Sequence, residues 1–221
     1  MEDRRRILEM VREGVLSPEE ALELLAVLED REVREGSVRG EAWSPGPGVR
    51  LVAGGADVEV VGEKGLASPR AEGGEFRQEG EGHLFRLGVG EEGRLWVPEG
   101  SPVRLEAKGS NLELSRVALS GQAHGCNLEG EELLGLDLRL VAGNLEAGLL
   151  LKEGRHGLDL KAANAELRFL PGSDLLLEVE ARLSSLEVEG AWTRAPGGYR
   201  LGEGRAVLRV RAFASNLEVE A

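Results

Sequence analysis

A single cysteine, Cys126, stands among 221 residues, which rules out an intramolecular disulfide and a multi-cysteine zinc site. Aromatic residues make up only 4% of the chain, so any core must be built mainly from Leu, Val and Ala. Basic residues are outnumbered by acidic ones, 27 against 40, and the formal net charge is −13. Such a chain has no basic excess with which to displace the counterions of nucleic acid or to adsorb to an anionic membrane. No window approaches the roughly 18 apolar residues of a spanning helix, so no direct membrane insertion is expected. After Met1-Glu2-Asp3-Arg4-Arg5-Arg6, the charges of Glu9, Arg12 and Glu13 interrupt the apolar residues before an export signal can form. The expected location is cytoplasmic, with envelope association as the alternative.

Glycine, by contrast, is abundant at 32 residues, and 41% of the chain is hydrophobic, which points to a folded protein with frequent backbone turns. The first stretch reads as a pair of helices. Ile7, Leu8, Met10 and Val11 recur at helical spacing up to Gly14, a C-terminal cap. Ser17-Pro18-Glu19-Glu20 then supplies an N-cap, a proline at the first helical position and a capping-box glutamate. The second helix carries Leu22, Leu25 and Leu28 on an apolar stripe too wide for an isolated surface helix, which makes these residues a candidate assembly face. The organisation expected is a helical hairpin over 1–35, a Pro- and Gly-rich linker over 36–49, and a repetitive β domain over 50–221.

The repeat rests on asparagine. All five asparagines, Asn111, Asn127, Asn144, Asn164 and Asn216, follow small residues and precede an apolar residue and then Glu. Asp57 and Ser185 hold the same slot in two degenerate copies. Spacings of 16 to 21 residues from Asn111 to Ser185 fit one solenoid coil. Before each slot the apolar residues lie at even offsets, as in Leu136, Leu138 and Leu140 before Asn144; after it they lie at odd offsets, as in Leu145. Side chains on a straight strand alternate faces, so the chain must bend there if both sets are to reach one core. The tolerance of Asn for left-handed backbone assigns the bend to the Asn itself. In-register stacking then predicts an amide ladder of the slot residues and an acidic row of Glu59, Glu113, Glu129, Glu146, Glu166, Glu187 and Glu218. Lys108, His124, Lys161 and Arg182, three residues before their slots, form a candidate basic row. Glu75 to Val97 reads as strands that open the stack, and Ala191 to Leu201 as a hairpin before the last coil.

The motifs that could carry chemistry do not add up to a site. Gly88-Val89-Gly90-Glu91-Glu92-Gly93 matches a dinucleotide fingerprint in form, but its glutamates repel phosphate and a strand follows in place of a helix. His124-Gly125-Cys126 pairs a thiol with an imidazole, yet the repeat gives both ordinary places, one in the small-residue slot and one outside. His83, His124 and His156 are too scattered for a local metal motif. No cofactor and no catalytic or metal-binding residue is assigned.

Arg6-Ile7-Leu8-Glu9-Met10-Val11 with Ser17 to Leu25, and Leu95-Trp96-Val97-Pro98-Glu99-Gly100 with the Asn motifs, resemble the bacterial putative-adhesin family, β-solenoid proteins often bearing an N-terminal SHOCT-like helical pair. This chain has Asn-Leu-Glu where relatives commonly show Gly-Asp-Val or Gly-Asp-Ile. The resemblance implies a structural or interaction role, in some relatives linked to cell-envelope stress. The expected fold is mainly β, a parallel β-solenoid (β-helix) with a small helical hairpin. The expected function is a non-enzymatic scaffold whose partners are another protein or a second copy. The alternative is a carbohydrate-binding or carbohydrate-active β-helix.

Overall fold

The computed structural model describes residues 48–221, and the expected helical hairpin, with Leu22, Leu25 and Leu28, and most of the linker lie outside them. The described residues form a mainly β, parallel solenoid of two-stranded coils. Val49, placed by composition at the end of the linker, is already the buried first residue of a strand.

In chain order the strands are β1 (Val49–Gly54) and β2 (Asp57–Glu63), the short β3 (Arg70–Glu72) and β4 (Glu75–Glu79), then β5 (Gly82–Leu87) and β6 (Glu92–Pro98). Regular coils follow as β7 (Pro102–Lys108) with β8 (Asn111–Ser115), β9 (Ala118–His124) with β10 (Asn127–Leu133), and β11 (Gly135–Val141) with β12 (Asn144–Leu149). The run continues with β13 (Gly154–Lys161) and β14 (Asn164–Phe169), then β15 (Leu175–Arg182) and β16 (Ser185–Glu189). A hairpin of β17 (Thr193–Ala195) and β18 (Gly198–Leu201) leads to the last coil, β19 (Ala206–Phe213) and β20 (Asn216–Glu220).

Each coil gives one strand to each of two sheets. One sheet runs β17-β18-β15-β19-β13-β11-β9-β7-β1-β5-β4, and the other β16-β20-β14-β12-β10-β8-β2-β6-β3. The coils pair in parallel, while β3, β4, β17 and β18 are antiparallel additions at the ends. Stack order departs from chain order at both ends. The β1–β2 coil lies between the β5–β6 and β7–β8 coils, and the β19–β20 coil lies between the β13–β14 and β15–β16 coils. Beyond Asn164 the next slot residue in the stack is therefore Asn216, and the run of spacings that leads from Asn164 to Ser185 skips a coil. Asp174 fixes this interleaving: its carboxylate accepts the Gly204 and Arg205 backbone N–H groups and pairs with the Arg205 guanidinium, and its carbonyl accepts the Ala206 N–H at 2.8 Å. The guanidinium holds the Asp174 carboxyl below the usual aspartate range.

The core is a column of Leu, Val and Ala between the sheets. Within the β11–β12 coil, Leu136, Leu138, Leu140, Leu145 and Leu149 are all at most 2% exposed. One histidine joins the column, because His156 stands in the inward row between Leu136 and Leu208 and is buried. Its Nδ1 accepts the Leu136 N–H and its Nε2 faces the Glu153 carbonyl at 3.0 Å, an arrangement that the neutral ring satisfies. Burial lowers its pKa against a smaller upward pull from the Glu153 carbonyl and Asp137. On the outer face nearby, Asp137 is pushed up by partial desolvation and by Asp159, and Asp159 chiefly by its own desolvation.

Candidate functional site

The corner between the two sheets recurs with one backbone signature. The left-handed residue is not the Asn but the residue two before the slot: Gly55 (φ 66°), Gly109 (58°), Gly125 (62°), Ala142 (51°), Ala162 (48°), Leu183 (52°) and Ala214 (50°). The β5–β6 coil repeats it with Gly90 (φ 74°) before Glu92. The Asn is instead the first residue of the outgoing strand in all five cases. A left-handed non-glycine residue costs about 1–2 kcal/mol. Each fully buried Leu or Val contributes about 1.5–3 kcal/mol, so a coil with five of them tolerates Ala at the turn.

Between the left-handed residue and the slot lies a small residue that points inward. Ala56, Ser110, Cys126, Ala163 and Ser215 are all at most 3% exposed there. The hydroxyls do work that alanine cannot: Ser110 accepts the Ala56 N–H at 3.2 Å and donates to the Lys108 carbonyl, and Ser215 treats Ala163 and Phe213 in the same way. Cys126 lies in this position with its thiol donating to the His124 carbonyl, while the His124 side chain is exposed outside. His83 stacks on Phe76 at 5.3 Å and His156 is in the core, so the three histidines occupy three separate places. Gly88 to Gly93 forms a turn into β6, where the Glu91 carboxylate accepts the Gly88 N–H.

The slot residues line up as one ladder. Asn111 Nδ2 donates to Asp57 Oδ1 at 2.7 Å, Asn127 to Asn111 at 3.0 Å, Asn144 to Asn127 at 2.9 Å, Asn164 to Asn144 at 3.0 Å and Asn216 to Asn164 at 2.9 Å. Ser185 Oγ closes it by donating to Asn216 Oδ1 at 2.6 Å. The two non-asparagine rungs are the two ends. An ionised carboxylate only accepts, so Asp57 turns the Asn111 amide toward itself and thereby orients every amide above it. A hydroxyl suffices at the far end, where only a donor is needed.

Two residues past each rung, the glutamates stack in register in the order Glu59, Glu113, Glu129, Glu146, Glu166, Glu218 and Glu187. Arg94 flanks the row beside Glu59, and Arg168 pairs with Glu166 at 3.5 Å and Glu220 at 3.3 Å. Exposed pairs of this kind contribute little, and like charges directly opposite one another on neighbouring strands are destabilising. Beside the row, a β-bulge between Gly130 and Leu133 borders a shallow groove of about 510 Å³. The row of Lys108, His124, Lys161 and Arg182 is interrupted by Val141 and Phe213 and lies on the other sheet.

That other sheet alternates its charges. Arg50 pairs with Glu106 at 3.0 Å, Arg209 with Glu178 at 2.9 Å and Arg211 with Glu180 at 3.6 Å. The Arg50 hydrogen bond lowers the Glu106 carboxyl below its ordinary range. Apart from Asp137 near Asp159 and Arg50 opposite Arg104, one outer face is thus compensated by Arg–Glu pairs, and the other carries a continuous carboxylate row. Trp192 packs edge-on against Phe169 at 5.3 Å, and Tyr199 is also half-buried against the core.

A family model of the SHOCT-like domain matches residues 2–32. No curated protein matches the chain. Among solved structures, a putative cell adhesion protein from Clostridium sporogenes is similar, with a TM-score of 0.48 and 9% identity over 80% of this chain and 93% of that chain. No helix among the described residues is long and apolar enough to cross a membrane.

Proposed function

We propose that the protein is a non-catalytic scaffold, in which a rigid solenoid presents its carboxylate face to a cationic protein surface and the SHOCT-like segment serves assembly or docking. The observation that carries this reading is the contrast between the faces. Stacked glutamates cost stability, and the opposite sheet of the same coils carries no such row, placing Arg beside Glu in three pairs. A surface that keeps such a row is suited to a partner that neutralises it, and charge of one sign steers that partner on approach. A link to cell-envelope stress belongs to the same reading, through the resemblance of the chain to adhesin-type solenoids.

The test is fluorescence anisotropy of a labelled Lys-rich peptide against two charge-reversal variants. Combined Glu113→Lys, Glu129→Lys and Glu146→Lys is expected to abolish salt-sensitive binding, while Glu106→Lys with Glu178→Lys on the other sheet leaves it in place. Equal binding by both variants would remove the face from the proposal. The carbohydrate reading has no observation in its favour, since Trp192 and Tyr199 are both packed against the core.

A further inference from the structure

The two ends of the stack are built differently. At the β5–β6 end both sheets are covered, by β4 and by β3, and the inward residues Phe85, Leu95 and Val97 are 0% exposed. At the other end only one sheet is covered among the described residues. The β17–β18 hairpin lies on Leu175 to Leu177 of β15, and Trp192 reaches Phe169, but β16 ends its sheet with no described strand beyond it.

The uncovered half exposes what every other coil buries. Leu186 is 36% exposed and Val188 is half-buried, whereas their counterparts one coil inward, Leu217 and Val219, are 1% and 2% exposed. Leu183, at the corner before β16, is 84% exposed, and Ala181 of β15 is exposed as well. The backbone is equally open. Ser185 N–H donates to the Ser215 carbonyl on the β20 side, and in a parallel ladder successive residues turn their N–H and C=O groups to opposite sides. Leu186 and Val188 therefore direct theirs away from the stack. An edge with free backbone groups and an apolar row invites another strand, and natural sheets ordinarily block such edges.

We propose that this edge accepts an extended segment of a partner protein as an added strand, with apolar residues alternating with Lys or Arg. The apolar residues would continue the column past Leu186 and Val188. The basic ones would fall beside Glu187 and Glu189, which already stack on Glu218 and Glu220. The charge pattern argues against a second copy, because two β16 strands paired about a two-fold axis centred on Glu187 or on Val188 would set Glu187 against another Glu187 or against Glu189. The proposal rests on the interaction-scaffold reading and names a partner chemistry and a binding mode for it.

The test uses the full chain and a synthetic six-residue peptide of alternating Val and Lys, with a peptide of the same composition in blocks as control. The alternating peptide is expected to bind about tenfold more tightly than the block peptide. It should also slow hydrogen exchange at the Leu186 and Val188 amides. Val188→Pro removes an outward N–H at a place where an edge strand tolerates proline, and is expected to cost the alternating peptide about tenfold in affinity with the fold retained. Equal affinity for both peptides, unchanged by Val188→Pro but lost in the Glu113, Glu129 and Glu146 reversal, would overturn the edge proposal and leave the face reading intact. A dimer in light scattering that Val188→Pro dissolves would also overturn it, by showing that a second copy fills the edge.

Discussion

Gly121→Ala is expected to cost on the order of 4 kcal/mol, enough to unfold a marginally stable domain. Gly121 lies in the inward row between Leu105 and Leu138, in a place where neighbouring coils carry large side chains. Its φ is +115°, and a Cβ there would sit 2.1 Å from the Leu105 carbonyl oxygen and 2.8 Å from the Leu105 nitrogen. Both obstacles are backbone atoms of a strand held in register on either side, so neither can move alone. Gly109→Ala makes the comparison sharp. Gly109 is also left-handed, at +58°, but nothing lies within 4 Å of its Cβ position, and other coils carry Ala142, Ala162 and Ala214 at the same turn. Its cost should stay within about 1 kcal/mol, because the strain is partly offset by the entropy glycine loses on folding. Urea midpoints of the two variants measure the difference. Similar midpoints would mean that the coils do not approach as closely at Leu105 and Gly121 as the structure has them.

Leu145→Ala should cost about 2–5 kcal/mol and Leu186→Ala less than about 1 kcal/mol, although the two leucines hold the same position in the repeat. Each follows a rung and precedes Glu. Leu145 is 2% exposed with coils above and below, and truncation there leaves a cavity that rigid neighbours cannot fill. Leu186 is 36% exposed at the open edge, so water reaches it already. Thermal or urea denaturation of both variants checks the pair. Equal losses would mean that the β16 edge is covered in solution, in conflict with the edge proposal.

That pair also marks the limit of what the residues reveal. The coil unit was legible because the five asparagines share one context and the apolar residues change phase across it. Leu136, Leu138 and Leu140 and then Leu145 are accordingly all buried. The position of the turn was half-legible. Glycine marks the left-handed residue at Gly55, Gly109 and Gly125, but Ala142, Ala162, Leu183 and Ala214 hide it, because buried coils tolerate a strain that is normally left to glycine. Asparagine's own left-handed tolerance then drew the turn two residues too far along the chain.

Stack order was not legible from spacing. A strand is stabilised equally by whichever equivalent strand lies beside it, and the motif is the same in every coil. The signal that does exist is chemical: Asp57 and Ser185, the two rungs that are not asparagine, are the two ends of the ladder. His156 was missed for a related reason. It fills a leucine place in the alternation with Leu158 and Leu160, and only its contacts with Leu136 and Glu153 show why a polar ring is accepted there.

Disulfide trapping across the interleaved coils tests the architecture most directly. In a Cys126→Ser background, Asn164→Cys with Asn216→Cys places the two thiols on neighbouring parallel strands in direct register, within disulfide reach. Asn164→Cys with Ser185→Cys places them two coils apart, at roughly 9–10 Å between backbones, outside that reach. The interleaved stack order predicts rapid cross-linking of the first pair under mild oxidation and none of the second. Cross-linking of residues 164 and 185, with 164 and 216 left reduced, would contradict it.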